Sequence, residues 1–178
     1  MESAPDFFEP TVGWRAWLVV QTPEGLRLSS VLYPTIWMPR QEETAVCRPD
    51  ATGRDPNEPP PHAAPHPRCN CGIYATKSPD RATSYFHGEG RGPIKPLFRV
   101  MGTVSLWGSI IEGELGYRAS HAYPRQLFIP VNRAHRHRKI SAAQVAYELK
   151  TTYRVEVVPA DISVGGEEAA IQPAARGV

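Results

Sequence analysis

The chain has almost no net charge: twenty Lys and Arg against eighteen Asp and Glu leave +2 over 178 residues. That balance gives no whole-chain sign of a nucleic-acid binder, so any such role has to come from a local patch. Cysteine is equally sparse. Three cysteines argue against a disulfide framework, because an odd count strands one thiol. Long apolar runs are missing as well; Trp17-Leu18-Val19-Val20 is far too short to span a bilayer. The acidic start Met-Glu-Ser-Ala-Pro-Asp lacks the charged and apolar regions of a signal peptide. The expectation is a cytoplasmic protein with no membrane partner. Also absent are Gly-x-Ser-x-Gly, a phosphate-binding glycine loop and His-Glu-x-x-His, the sequence marks of several enzyme classes.

Proline is what the chain has in quantity, with 19 residues. Between Arg48 and Arg68 stand Pro49, Pro56, Pro59, Pro60, Pro61, Pro65 and Pro67. No regular element survives such a run, since proline removes donors and restricts the residue before it. A second irregular stretch is expected from Thr76 to Pro96. Elsewhere, 41% hydrophobic and 21% charged residues fit one globular unit. The organisation expected is a flexible arm over 1–12, a single domain over 13–162 and a flexible tail over 163–178.

Within that domain, Gly13 to Gln21 is aromatic and β-branched and predicts a strand. Thr22-Pro23-Glu24-Gly25 reads as a turn, and Leu26 to Leu32 as the returning strand, with Leu26 and Leu28 on one face and Arg27 on the other. Phe98 to Ile111 predicts a long strand, its glycines at 102 and 108 marking bends or a close backbone approach. Tyr117 to Tyr123 returns after a turn and is expected to break at Pro124-Arg125. Ser141 is a candidate N-cap for a helix from Ala142 to about Thr151, with Val145, Ala146 and Leu149 facing inward. Val155 to Val158 closes as a strand. The fold expected is α+β: a curled, mainly antiparallel sheet, barrel-like or sandwich-like, with one C-terminal helix and a zinc-stapled loop region.

The staple is the most specific feature. Cys69 and Cys71 flank Asn70, and Gly72 follows to permit an unusual backbone angle. A Cys-x-Cys pair can place two thiolates on one ion if the backbone bends between them. His62 lies seven residues upstream, and Cys47 stands on the far side of the proline-rich loop. Three thiolates and one imidazole make the closed tetrahedral shell of structural Zn2+. A cross-link stabilises most where it ties both ends of a loop that has no regular structure. Three alternatives stay open: His66 in place of His62, a [2Fe–2S] cluster with three cysteines and one histidine, and three free thiols, two of them buried as small hydrophobes.

The order Gly13-Trp14-Arg15-Ala16-Trp17, Trp37-x-Pro39, Cys47, then His62-x-x-Pro65-x-x-x-Cys69-x-Cys71-Gly72-Ile73-Tyr74-Ala75, followed by Val104-x-x-Trp107-Gly108 and Gly116-Tyr117-Arg118-Ala119, resembles a group of small actinobacterial proteins. The likeness covers roughly residues 13 to 125. It implies His62 rather than His66 as the fourth ligand, and it carries no activity with it.

Three further groups invite functional readings. Arg133, His135, Arg136, Arg138 and Lys139 form the densest basic run, able to contact phosphates of RNA or DNA, although a solvated loop explains most runs of this kind. Glu112, Glu114, Arg118 and His121 surround one predicted hairpin and offer acid–base groups for a small enzyme; a polar exposed turn is the simpler account. Trp14, Trp17, Trp37 and Trp107 suit either a ligand pocket or a β-rich core, and core is expected for at least two, each indole N–H finding a partner. The function expected is a non-catalytic, zinc-stabilised binding or adaptor protein that presents its loops to a protein partner, or to nucleic acid through residues 133–139.

Overall fold

The computed structural model describes residues 9–33, 35–47, 62–86, 96–131, 140–162 and 171–173. The basic segment 133–139, most of the proline-rich loop, the first eight residues and most of the C-terminal tail lie outside them.

Strand β1 (Thr11–Thr22) turns through Pro23-Glu24 into β2 (Gly25–Ser30), paired from Thr22↔Gly25 to Trp17↔Ser30. The period of two buries Leu26 and Leu28 and leaves Arg27 on the other face. Two short strands follow, β3 (Ile36–Trp37) on β2 and β4 (Glu43–Thr44) on the later β7. After the loop come β5 (Ile73–Thr76), helix α1 (Pro79–Thr83) and a 3₁₀ turn, Ser84–Phe86. The long hairpin β6 (Phe98–Glu112) and β7 (Gly116–Pro130) leads to helix α2 (Ala142–Tyr153), then β8 (Glu156–Ile162) and β9 (Ile171–Pro173). The result is an α+β fold, mostly sheet. Among the described residues no helix is long and apolar enough to cross a membrane.

Among the described residues, all strand pairs are antiparallel except β7 with β8, so the sheet is mixed. That parallel pair is connected through α2, the connection parallel neighbours require. Strands β1, β6, β7 and β5 close into a ring, but it is not a barrel. The joint between β1 and β5 is a single pair, Trp14↔Thr76. Side chains reinforce it: the Arg15 guanidinium donates to the Tyr74 carbonyl and, at 3.0 Å, to Ser30 Oγ, while lying 5.1 Å over the Trp37 ring. Burial lowers the pKa of Arg15 to about 10, so it stays charged at neutral pH.

Four expectations are corrected. Among the described residues there are two helices rather than one, because Pro79 opens α1 inside the stretch read as irregular; five residues are too few to show a helical period. Strand β7 does not break at Pro124-Arg125. It pairs Val104↔Pro124 and then Thr103↔Gln126, so Arg125 is the extra residue of a β-bulge, a place where a residue without an N–H is tolerated. Residues 171–173, within the expected tail, pair with β8. The sheet closes as a ring rather than as a barrel or sandwich. The glycine bends in β6 do appear. Gly108 has φ +76° beside the second register shift, and a Cβ at Gly102 would lie 1.9 Å from the Gln126 carbonyl oxygen.

The core lies between α2 and the sheet. Val145, Leu149 and Tyr153, one helical face, pack with Leu26, Leu28, Trp17 and Trp37, each such apolar side chain contributing about 1.5–3 kcal/mol by its burial. Trp17 and Trp37 meet edge to face at 5.5 Å. Trp37 Nε1 donates to Ser30 Oγ at 3.0 Å, whereas Trp17 Nε1 has no partner among the described residues. Trp14 and Trp107 are half-buried, stacked on Phe128 and His121. The helix starts with the expected Ser141 cap, completed by Gln144 as a capping box.

Candidate metal centre

Two segments of chain meet to make the centre. Strand β4 pairs Glu43↔Ala122 and Thr44↔His121, and Ala45 N donates to Ser120 O at 2.7 Å, which delivers Cys47 to the edge of β7. From the other side, β5 pairs Ile73↔Ala119 through Thr76↔Gly116, which holds Cys71 and Cys69 just before its first residue. Gly72 makes the bend expected of it: its φ is +127°, a conformation L side chains rarely adopt.

One ligand atom from each of Cys47, His62, Cys69 and Cys71 lies within 4.8 Å of all the others. Cys47 Sγ is 3.8 Å from Cys69 Sγ, and Cys71 Sγ is 3.4 Å from His62 Nε2. Ligands about 2.3 Å (sulfur) and about 2.0 Å (nitrogen) from a tetrahedral ion stand about 3.8 Å apart for two sulfurs and about 3.5 Å for sulfur and nitrogen. The four side chains therefore fit a metal ion and are compatible with one closed shell. His66 is not in the group. Its ring stacks on that of His62 at 4.4 Å, and its Nδ1 accepts from Arg68 N at 3.3 Å.

The thiols are unequal. Burial pushes Cys47 up to about 11, reinforced by its contact with the Cys69 thiol. Cys69 is pulled below the ordinary thiol range, first by the backbone N–H of Cys71. A metal has to displace the proton from Cys47 to bind it.

Arg118 supplies what the linear sequence does not show. Read from the sequence as one of a group of polar residues around an exposed hairpin, with acid–base chemistry only the alternative, it sends Nη1 beneath the loop, donating to the carbonyls of His66 (3.4 Å), Cys71 (3.1 Å) and Cys69. Three thiolates and a neutral imidazole on a divalent ion leave one net negative charge, and the guanidinium stands beside it. Only the β5–β7 register, Tyr74↔Arg118, puts it there, and no sequence pattern announces that. The other members of the hairpin cluster disperse. Glu112 pairs with Lys77 at 2.6 Å, and His121 lies 3.6 Å from Glu42 and 3.4 Å from Thr44 Oγ1. No family model matches the chain, nor does any curated protein or solved structure. The chemistry of the centre stands on its geometry.

Proposed function

We propose that the protein is a non-catalytic zinc protein whose Cys47–His62–Cys69–Cys71 centre is structural, and that it acts as a binding or adaptor module presenting the tied loops to a protein partner in the cytoplasm. The observation that carries this is the convergence of four zinc-type donors from both ends of the proline-rich loop. With every coordination position taken by the protein, the ion has no vacancy for substrate and works as a cross-link. Around it, Val46 and Tyr74 are 57% and 46% exposed, apolar groups on the segments the ion would hold. Glu112, Arg118 and His121 each face a different partner, which argues against an enzyme built on that hairpin.

Metal analysis of the purified chain should find about one zinc per molecule. Purification from the native host should bring down a stoichiometric protein that Val46→Glu abolishes while the zinc content stays unchanged. A bound metabolite with no protein partner overturns the adaptor reading in favour of an enzyme, and a metal-free chain overturns the zinc reading. A nucleic-acid partner would instead show steep salt dependence that Arg136→Ala with Arg138→Ala removes.

A further inference from the structure

We propose that the centre is also an oxidation site, at which peroxide converts Cys47 and Cys69 into a disulfide that takes over the cross-link and sets the zinc and His62 free. This rests on the zinc reading above.

Exposure and distance both bear on which thiols react. Cys47 is buried, only 2% exposed, whereas Cys69 and Cys71 are half-buried at the surface. A small oxidant from solvent therefore meets Cys69 or Cys71 before Cys47. The sulfur of Cys69 is 3.8 Å from that of Cys47, while Cys71 Sγ has His62 Nε2 at 3.4 Å. Forming the disulfide has to close the first gap, 3.8 Å, to a bond of about 2 Å. Joining Cys69 to Cys71 would instead have to draw in the one-residue link through Asn70. Both of those residues' carbonyls are held on the Arg118 guanidinium, which opposes it.

The chemistry balances with hydrogen peroxide as the two-electron oxidant. The Cys69 thiolate attacks one peroxide oxygen, the O–O bond breaks, and hydroxide leaves to be protonated to water. Cys69 is then a sulfenic acid. The Cys47 thiolate attacks that sulfur; an S–S bond forms, the S–O bond breaks, and a second hydroxide leaves as water. Two thiolates are oxidised, one peroxide is reduced, and two protons are consumed. Only Cys71 and His62 remain as ligands, too few for a structural site.

The products divide unequally. Cys47, at the end of the segment paired to β7, and Cys69, just before β5, stay joined covalently, so the sheet keeps its tie. Cys71 keeps its carbonyl on Arg118. Among the described residues, the ring contact to His66 and the 3.4 Å contact with Cys71 Sγ are what remain to hold the His62 side chain. Oxidation thus takes His62 off the ion without releasing the loop from the fold.

The test treats the zinc-loaded full chain with stoichiometric hydrogen peroxide in the presence of a colorimetric zinc chelator. Peptide mapping then locates the disulfide, and diethyl pyrocarbonate labelling reports each histidine. The expected result is about one zinc released per Cys47–Cys69 disulfide, with Cys71 still alkylatable and His62 newly labelled. Thermal unfolding should fall less than in reduced protein stripped with chelator, and dithiothreitol plus zinc should restore the starting state. Cys71→Ser should still form the disulfide. A Cys69–Cys71 bond, sulfinic acid as the main product, or a zinc load that peroxide leaves in place overturns this proposal but not the zinc reading. A chain that takes up no zinc overturns both.

Discussion

Arg118 Nη1 donates to the carbonyl oxygen of Cys71 at 3.1 Å, so a member of the Cys/His cluster is positioned through its backbone by a cation from the neighbouring strand. The same nitrogen serves Cys69 and His66. Hydrogen bonds from a charged donor are worth about 1.5–3 kcal/mol net, and groups behind the ligands of a metal site change affinity about 10–100-fold. Arg118→Ala should lower stability by about 2 kcal/mol and weaken zinc binding at least about tenfold. Arg118→Lys should restore part of the charge effect without the reach to three carbonyls, leaving affinity between the two. Chelator competition and thermal unfolding check this; equal affinity in all three proteins would show the guanidinium to be irrelevant.

Cys47 gives the centre its pH dependence. Its thiol is raised to about 11 in the metal-free protein, so it holds its proton throughout the neutral range, and binding must expel it. Zinc affinity should therefore rise with pH, by about tenfold per unit for each proton displaced, and fall as the solution is acidified. Competition titrations at pH 6, 7 and 8 measure the slope. A flat profile would mean that Cys47 is not a ligand.

The Tyr153 hydroxyl makes a second testable joint. It accepts from Leu28 N at 2.8 Å and donates to Trp37 O at 2.6 Å, inserted where β2 and β3 pair. Tyr153→Phe leaves both backbone groups buried without that partner and should cost about 1–3 kcal/mol. Burial also raises the Tyr153 pKa to about 12, against about 10 in the unfolded chain. The unfolded state thus loses this proton first. The stabilisation is complete below pH 10 and disappears between pH 10 and 12. Chemical denaturation across that range should show a loss of about 2–3 kcal/mol attributable to Tyr153, and the Phe variant should lack that component.

These features divide by how far along the chain their causes lie. Strands β1, β2 and β6 were legible because an alternating face or a β-branched run is a local property. Helix α2 was legible through Ser141 and the spacing of Val145 and Leu149. The Cys/His cluster was legible because Cys69, Cys71 and Gly72 carry their own turn. What escaped depends on a partner remote in sequence. Pro124 is tolerated only because Arg125 bulges against β6, and the parallel pairing of β8 depends on where α2 returns the chain. Arg118 reaches the loop through a register that no short pattern encodes. Strands β3 and β4 have two residues each, too few for any period to show.

Gly102 tests whether the close approach of β6 and β7 is required rather than incidental. A Cβ there would stand 1.9 Å from the Gln126 carbonyl oxygen and 3.0 Å from Leu127 Cα. Both are backbone atoms, so neither can swing aside as a side-chain tip would. Gly102 also sits one residue before the shift that accommodates Pro124, where the two strands are already kinked. Gly102→Ala must therefore push the strands apart, straining the pairs on either side and opening the packing of Met101 and Leu127, both fully buried. The expected loss is about 3 kcal/mol or more, beyond the usual range for a single substitution. Gly113, in the hairpin turn, is the control. Its nearest neighbour to a new Cβ is 3.6 Å away, ordinary contact distance, so Gly113→Ala should stay within about 0.5 kcal/mol of the parent. Equilibrium unfolding of the two variants side by side decides it, and similar stabilities would show that the β6–β7 contact yields without cost.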